Sequence, residues 1–267
     1  MILDEIVAEK RQEITRRQTR ISLVEFRTRA ESAPEARDFT AALRGDTVAL
    51  IAEIKPASPS RGEIRANVNP VQLAQLYAEN GAAAISVLTD RKYFHGEPNN
   101  LKAARVGCEV PLLRKDFIID EYQVYESRAL QADAILLIVR LLDDAQLRDY
   151  GALAEALGMA ALVEVHAAEE LERGLTSGAR IIGINNRNLA DFSVDLATTE
   201  RLAPSIPADR IVVGESGVFS RANVERIARA GVDAVLVGEA LMRADDIGAQ
   251  VRELSGVPRS RLQVRRA

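Results

Sequence analysis

Polar and charged residues recur where apolar runs of this sequence end. They are Glu53 and Lys55, Lys115, Glu164, Asn185 and Glu215, at the ends of five separate runs. Burying a charge is costly unless a partner balances it, so this repetition points to one shared site. A lysine among carboxylates can stay protonated as a general acid, and a glutamate near apolar walls can act as a base. This pairing suits making and breaking bonds next to a carbonyl group.

Two of the runs are followed by glycine turns that could bind an anion. These are residues 212–217 (VVGESG) and 235–239 (VLVGE). Glycines placed directly after a buried strand expose backbone N–H groups, which can hold a phosphate. The predicted substrate is therefore a phosphorylated carbonyl compound, such as a sugar phosphate.

The elements that must position these residues follow a repeating pattern. Apolar runs predicted as strands cover 48–55, 83–89, 110–117, 134–139, 161–165, 180–186, 211–215 and 234–238, and helical patterns between them cover 70–80, 121–131, 143–157, 168–177 and 221–230. Strands apolar on both faces are typical of a parallel sheet under helices. Eight such units in series predict an α/β fold, a (β/α)₈ TIM barrel, whose strand ends would gather the polar residues at one rim.

Local signals mark several element boundaries. Asn69 before Pro70 predicts a helix start, and Asp120 with Gln123 resembles a capping box. Gly107 is one of several glycines at predicted helix ends. Residues 1–47 carry helical apolar spacing and predict an N-terminal helical extension, which either covers one end of the barrel, the favoured interpretation, or contacts the substrate directly. We expect a single domain, with the extension at 1–47, the barrel at 48–256 and a basic, solvated tail at 257–267.

Composition excludes several classes of function. The 267 residues are 47% hydrophobic and 28% charged, which is ordinary for a globular protein. A net charge of -4 argues against general nucleic-acid binding. No apolar run is long enough to span a membrane, and charges stand where a signal peptide would be apolar. A single cysteine, Cys108, fits a reducing compartment, so we expect a cytoplasmic protein.

Each candidate residue also has a structural interpretation. Glu53 and Lys55 could be a buried ion pair, and Lys115 could pair with Asp116 or a neighbouring carboxylate. His95 and His166 lack a second ligand at a metal-binding spacing and are expected to serve structure or surface. Cys108 lies at the entry to the third strand, away from the polar rim, and is expected to be structural. The residues taken together favour a catalytic site.

Ordered motifs give the sequence a resemblance to a known family. They are residues 51–62 (IAEIKPASPSRG), 88–90 (LTD), 92–96 (KYFHG), 113–120 (LRKDFIID), 184–189 (INNRNL) and 214–217 (GESG). This set closely resembles the indole-3-glycerol phosphate synthases. The resemblance implies a TIM barrel that acts on 1-(2-carboxyphenylamino)-1-deoxyribulose 5-phosphate in tryptophan biosynthesis. It implies ring closure, loss of CO₂ and loss of water, without an organic cofactor or a metal.

The resemblance also assigns roles to the charged residues. Lys115 would be the general acid that protonates the ribulose carbonyl as the aromatic carbon attacks it. Glu164 would assist the final dehydration as base or acid. Lys55 and Glu53 would position and charge-balance the substrate, with Lys55 a candidate acid in the later step.

The remaining substrate contacts follow from the same motifs. Asn185 and Arg187 would hold the anthranilate carboxylate and the ring-closed intermediate, and Glu215 would hydrogen-bond nearby. Ser58 belongs to a loop after the first strand that is suited to closing over the substrate. The apolar part would be lined by Phe94, Phe117, Leu136 and Leu189.

The phosphate site implied by the resemblance lies in the two glycine turns. Ser216, Gly217, Gly238 and the backbone N–H of Glu239 would hold the phosphate, with help from Lys55. A carboxylate aimed at a phosphate would repel it. We therefore expect the Glu239 side chain to point away and its substitution by alanine to be mild.

Other functions are open but less well supported. Phosphoribosylanthranilate isomerase or a histidine-pathway relative would share the phosphate turns but would favour a Cys or Asp base on the first strand, where Glu53 and Lys55 stand. A ligand-sensing barrel would have lost the acid and base. A nucleotide-binding domain would carry a Gly-x-Gly-x-x-Gly or Gly-x-x-x-x-Gly-Lys motif, which this sequence lacks. The sequence does not identify partners among other pathway enzymes.

Overall fold

The computed structural model describes residues 2–188 and 192–260, and its centre is a closed barrel of eight parallel strands. In chain order the strands are β1 (Ala49–Ile54), β2 (Ala57–Ser58), β3 (Gly62–Glu63), β4 (Ala84–Leu88), β5 (Leu112–Lys115), β6 (Ala134–Ile138), β7 (Ala160–Val165), β8 (Ile181–Asn185), β9 (Ile211–Glu215) and β10 (Ala234–Val237). β1 pairs with both β4 and β10 and closes the ring, while β2 and β3 form a small antiparallel hairpin beside it. The predicted TIM barrel is confirmed, with each of its eight strands within two residues of the expected bounds, while the hairpin of β2 and β3 was not predicted.

Helices precede the barrel and follow its strands. They are α1 (Ile2–Gln18), α2 (Leu23–Glu31), α3 (Phe39–Ala42), α4 (Pro70–Glu79), α5 (Pro98–Gly107), α6 (Glu121–Ala129), α7 (Asp144–Ala156), α8 (Ala168–Thr176), α9 (Ala197–Leu202), α10 (Arg221–Ala228), α11 (Glu239–Arg243) and α12 (Ile247–Leu254). Two single 3₁₀ turns, Val139–Leu141 and Ala203–Ser205, complete the described elements. The five helical segments named from the sequence correspond to α4, α6, α7, α8 and α10.

The barrel strands are apolar because both of their faces are buried. Ile51 and Leu113 point into the barrel and belong to one apolar cluster. Leu50 and Leu112 alternate with them and pack into a second cluster beneath the helices. Removing both faces from water is the main apolar stabilisation of this fold.

The predicted helix starts are partly as expected. Asn69 accepts hydrogen bonds from two backbone N–H groups of the first turn of α4, with Pro70 following it. Asp120 caps α6, but the Gln123 side chain accepts from the N–H of Ile119 rather than from that of Asp120. The capping box predicted there is therefore incomplete. A complete one stands at the start of α7.

Gly107 ends α5 for a different reason from the one predicted. It does not adopt the left-handed conformation of a glycine cap. A Cβ atom at this position would overlap the carbonyl oxygen of Val71. A close approach between α5 and α4, rather than chain reversal, requires the glycine.

The N-terminal extension contacts both ends of the barrel, whereas the sequence analysis expects it to cover one. Phe39 and Leu43 pack under the inward-facing strand residues. Leu3 and Ile6 of α1 instead line the pocket at the carboxyl ends of the strands. The extension therefore closes the base and also forms part of the opposite rim.

The start of the predicted C-terminal tail is packed rather than solvated. Val257 is buried, and its carbonyl accepts a 2.7 Å hydrogen bond from the N–H of Val48. Arg259 forms a 3.2 Å ion pair with Asp233. Residues 261–267 lie outside the described chain, and the division of the chain at 47 and 256 stays a prediction.

Candidate active site

A pocket lies at the carboxyl ends of the barrel strands and contains the residues predicted to act on the substrate. Its lining includes Glu53, Lys55, Ser58, Phe94, Lys115, Phe117, Leu136, Glu164, Asn185, Arg187, Glu215, Ser216, Gly217, Gly238 and Glu239. The remaining predicted residue, Leu189, lies outside the described residues. Parallel strands bring their carboxyl ends to one rim, which explains why residues so far apart in sequence share one cavity.

Lys115 lies at the centre of the charged groups in this pocket. It ends β5, and its Nζ atom lies 2.8 Å from Oε2 of Glu164 and 2.9 Å from Oε2 of Glu215. Glu164 comes from β7 and Glu215 ends β9. Three separate strands therefore hold the Lys115 amino group between two carboxyl groups.

Asp116, the neighbour of Lys115, belongs to another buried network. Its carboxylate lies 2.9 Å from both Arg114 and Lys10 and accepts a 2.6 Å hydrogen bond from Thr89. Successive residues at a strand end face opposite sides, which separates the two networks. Lys115 therefore pairs with Glu164 and Glu215, and not with Asp116.

Burial and charge set the protonation of this group of residues. Burial alone would lower the pKa of Lys115, but the carboxylates of Glu164, Glu215 and Glu53 outweigh burial and hold it above its ordinary value. Burial raises the pKa of Glu215 to about 8, assisted by Glu164 and opposed by Lys115. Burial would also raise the pKa of Glu164, yet Lys115 prevails and lowers it. At neutral pH Lys115 and Glu164 are charged, and Glu215 holds a proton.

Glu53 and Lys55 form the ion pair expected from their spacing on β1. Lys55 Nζ lies 3.0 Å from Oε2 of Glu53. The Glu53 side chain is buried beside Gly238, where a Cβ atom would overlap its carboxylate. Gly238 is thus needed for packing against Glu53, in addition to any role in binding phosphate.

Asn185 connects the central carboxylates to the loop after β8. Its Nδ2 donates a 3.1 Å hydrogen bond to Oε1 of Glu164, and its Oδ1 accepts a 3.0 Å bond from the N–H of Arg187. Arg187 reaches across the pocket and donates to Ser60 Oγ at 3.4 Å and to the carbonyl of Phe192 at 3.2 Å. Asn185 and Arg187 are therefore placed as one unit.

Two successive residues of the first glycine turn lie in the left-handed region. Ser216 and Gly217 both have positive φ angles, 63° and 81°. Asn186 fixes the turn by donating to the carbonyls of Glu215 and Ser216 at 3.0 and 3.1 Å. With these carbonyls tied back, the N–H groups of the turn can face the pocket.

The Glu239 carboxylate is surrounded by arginines. Oε1 lies 3.1 Å from Nε of Arg61 and 3.4 Å from Nη1 of Arg243, and Oε2 lies 3.8 Å from Nη2 of Arg187. Its charge is balanced at the pocket wall. The expectation that its substitution by alanine is mild assumed a side chain that points away, whereas this carboxylate has three guanidinium partners in the pocket wall.

Sequence reasoning left a substrate contact by the N-terminal helices as the less favoured alternative and identified no residue of α1 as part of this pocket. Leu3 and Ile6 line it, and Lys10 on the same helix is 2% exposed between Asp90 (3.0 Å) and Asp116 (2.9 Å). The available signal was the spacing of these three residues on one helical face. Because this face of α1 contains Lys10, the sequence did not indicate that the face is buried.

The histidines and the cysteine lie outside the central charged group. Nδ1 of His166 lies 2.7 Å from the carbonyl oxygen of Asn185. His95 is exposed and has a positive φ angle of 53°. Cys108 is buried at the end of α5, with its Sγ 3.5 Å from the carbonyl of Ala104.

Across residues 2–188 and 192–260, no group of three His, Cys, Asp or Glu side chains is arranged to hold a metal ion. No helix within the described chain is long and apolar enough to cross a bilayer.

Solved structures with a similar fold include other barrels. Thiamine phosphate pyrophosphorylase from Pyrococcus furiosus superposes with a TM-score of 0.57 at 19% identity, over 84% of this chain and 98% of that one. 3-Hexulose-6-phosphate synthase from Salmonella typhimurium gives a TM-score of 0.62 at 14% identity, over 82% of this chain and 100% of that one. At these identities the similarity shows the fold alone.

Sequence comparisons are more specific. The family model described as indole-3-glycerol phosphate synthase matches residues 3–254. The protein of that name from Albidiferax ferrireducens is 54% identical over 257 residues, which cover 95% of this chain and 97% of the relative. Those from Paracidovorax citrulli and Roseiflexus castenholzii are each 52% identical, over 95% and 96% of this chain and 98% of each relative. The chain belongs to the indole-3-glycerol phosphate synthase family.

Proposed function

We propose that this chain converts 1-(2-carboxyphenylamino)-1-deoxyribulose 5-phosphate into indole-3-glycerol phosphate, CO₂ and water. The observation that supports this most strongly is the position of Lys115, whose buried ammonium group lies between Glu164 and Glu215. An ammonium group in this pocket can protonate a carbonyl oxygen. Apolar walls that include Phe94 and Phe117 can hold an aromatic ring beside it.

In the first step, the ring carbon that carries the carboxylate bonds to the carbonyl carbon of the ribulose. The carbonyl oxygen becomes a hydroxyl by taking a proton from Lys115. Glu164 orients the ammonium group through its 2.8 Å hydrogen bond. Glu215, which holds a proton below about pH 8, lies 2.9 Å from Nζ and can restore the proton that Lys115 loses.

In the second step, the bond from the ring to the carboxylate breaks and CO₂ leaves. The electron pair of that bond returns to the ring and restores its aromaticity, which drives the step. Arg187 and Asn185 hold the carboxylate before it leaves. Their shared placement through the 3.0 Å hydrogen bond keeps both groups on the same side of the intermediate.

In the third step, the new hydroxyl leaves as water. Lys55 supplies the proton for the leaving oxygen. Glu164 accepts the proton lost from the adjacent carbon as the indole double bond forms. The 3.0 Å pair with Glu53 keeps Lys55 oriented toward the pocket.

The phosphate group is held at the two glycine turns. Ser216, Gly217, Gly238 and the N–H of Glu239 supply neutral donors, and Lys55 supplies a positive charge nearby. Ser58, in the hairpin after β1, closes over the bound substrate. Leu136 and Leu189 complete the apolar wall in this proposal.

The proposal requires no organic cofactor or metal, and its substrate is a small phosphosugar. We also propose that the protein is located in the cytoplasm, because its single cysteine cannot form an internal disulfide and so fits a reducing compartment. We propose no nucleic-acid or membrane partner, and no particular pathway enzyme as a partner. The chain is proposed to act as one domain with residues 1–47 as an extension, 48–256 as the barrel and 257–267 as a C-terminal segment.

Turnover of the ribulose phosphate by purified protein, followed by indole fluorescence and CO₂ release, tests this function. Equal amounts of both products are expected. Phosphoribosylanthranilate should be offered in parallel as the substrate of the alternative isomerase. The proposal would be contradicted if the protein consumed phosphoribosylanthranilate without releasing CO₂ and formed no indole-3-glycerol phosphate from the ribulose phosphate.

A further inference from the structure

Glu239 raises a problem for the proposed phosphate site. It directly follows Gly238, and its side chain is only 8% exposed in the wall of the pocket. A buried carboxylate requires compensation, and an uncompensated one would repel the phosphate that the adjacent turn is proposed to bind. The groups that balance it must therefore be part of how this site works.

Three guanidinium groups from different parts of the chain provide the compensation. Arg61 lies in the turn of the β2 and β3 hairpin, Arg187 follows β8, and Arg243 lies on the same short helix as Glu239. Arg187 is also proposed to hold the substrate carboxylate, so only Arg61 and Arg243 are set against Glu239 here, which leaves one positive charge. A phosphate monoester carries roughly -1.5 to -2 at neutral pH, and this charge offsets part of it.

Arg61 differs from the other two because its backbone belongs to the hairpin that covers the pocket. Its neighbour Ser60 accepts a 3.4 Å hydrogen bond from Arg187, so the hairpin turn is held at two adjacent points. The Arg61 side chain is still 55% exposed. It can turn from the carboxylate to an incoming phosphate without breaking a packed core.

We propose that Arg61 is a further phosphate-binding residue and that Glu239 is the positioning residue that holds it over the glycine turn after β10 until phosphate arrives. The inference rests on the proposed function, since it concerns the phosphate of that substrate. A guanidinium group can bind phosphate through two parallel hydrogen bonds, which a backbone turn alone cannot reproduce. Glu239 pre-orients this group and so lowers the cost of ordering it on binding.

The first test compares Arg61→Ala with Arg91→Ala. Arg91 is a similarly exposed arginine, at 61%, paired with Glu97, and neither residue lines the pocket. Loss of a charge-assisted contact to phosphate should raise KM about tenfold or more in Arg61→Ala, with kcat changing less than about threefold. Arg91→Ala should match wild type. An unchanged KM in Arg61→Ala, with an unchanged melting midpoint, would overturn the proposal.

A substrate without its phosphate separates phosphate binding from a general effect of the hairpin. With 1-(2-carboxyphenylamino)-1-deoxyribulose, wild type and Arg61→Ala should have the same kcat/KM. A deficit as large as that seen with the phosphorylated substrate would show that Arg61 acts only by holding the hairpin, and would overturn its role as a phosphate ligand.

The role of Glu239 is tested by a double-mutant cycle with Glu239→Gln. Glutamine keeps the shape of the side chain but cannot balance a guanidinium charge. If Glu239 acts by holding Arg61, Glu239→Gln raises KM in the wild-type background and has no further effect on Arg61→Ala. Independent effects that multiply in the double variant would contradict this positioning role.

Binding of inorganic phosphate to the unliganded protein, measured by calorimetry, needs no turnover. Arg61→Ala should weaken it about tenfold relative to wild type. If the wild-type protein forms no indole-3-glycerol phosphate but its binding of inorganic phosphate depends on Arg61, the proposed reaction fails and this inference stands. Equal phosphate affinity in the two proteins would overturn the inference, whatever the reaction.

Discussion

The carboxylate of Glu215 fills the space in which a side chain at Gly183 would begin. A Cβ atom on Gly183 would overlap Oε1 of Glu215, and it would also lie 3.1 Å from the side chain of Leu162. Within residues 2–188 and 192–260, that Oε1 atom is buried and has no hydrogen-bond partner. The glycine on β8 therefore allows a carboxyl group from β9 to reach Lys115 through the barrel interior.

Gly183→Ala should displace the Glu215 carboxyl group from Lys115. Misplacing a catalytic group by about 1 Å can cost about a hundredfold in rate, so we expect kcat to fall at least tenfold. Steady-state kinetics measures this loss. The control is Gly151→Ala, in α7, where a Cβ atom meets nothing within 4 Å. The control should keep full activity and melt slightly higher, because alanine favours a helix. Full activity in Gly183→Ala would contradict the account.

Glu215 should make stability depend on pH in a defined window. Its pKa is raised from an ordinary value of 4.5 to about 8, so the folded state holds a proton that the unfolded state loses. This contribution is fully present below about pH 4.5 and is lost as the pH rises through about 8. The Tm of wild type relative to Glu215→Gln should therefore fall between about pH 5 and 8 and level off above that range.

Thermal melts at several pH values measure this difference. Glu155→Gln is the matched control, because Glu155 lies on the surface with Arg180 as its partner. Its Tm should differ from wild type by a similar amount at every pH. If the difference between wild type and Glu215→Gln is also constant across the window, the protonated state assigned to Glu215 is wrong.

Lys10 should stabilise the docking of α1 on the rim. The side chain balances the buried carboxylates of Asp90 and Asp116, which Lys10→Met would leave without that charge. Removing one partner of a buried ion pair costs about 3–5 kcal/mol, and we expect a loss of about 3 kcal/mol in the free energy of unfolding. Denaturant unfolding measures this loss. Because α1 also places Leu3 and Ile6 in the pocket, the KM should rise as well.

The control for Lys10 is another lysine that pairs with α1. Lys92 lies 2.8 Å from Glu9, but this pair is on the surface. Lys92→Met should leave the unfolding midpoint nearly unchanged, since solvent screens such pairs. Equal effects of the two substitutions would show that the buried cluster does not anchor the helix.

The barrel and the polar rim could be predicted because each follows from short-range patterns. Buried parallel strands are apolar throughout, so Lys115 and Glu164 stood out as charges at the ends of such runs. The carboxyl ends of parallel strands then bring these residues to one rim. No long-range information was needed to place them in one pocket.

The partners of these residues could not be predicted in the same way. Lys10 has charged neighbours in sequence and reads as a surface residue, yet it is buried against Asp90 and Asp116. Glu239 is balanced by Arg61 and other arginines that lie far from it along the chain. Such pairings depend on how loops and helices meet in space, which local spacing does not encode.

The most direct test of the account is turnover of 1-(2-carboxyphenylamino)-1-deoxyribulose 5-phosphate by Lys115→Ala. Lys102→Ala, which removes an exposed lysine on α5, is the control. If Lys115 is the general acid, kcat should fall about 10²- to 10⁴-fold while substrate binding by calorimetry changes little. Lys102→Ala should match wild type. Turnover by Lys115→Ala within a few-fold of wild type would contradict the central role assigned to this lysine.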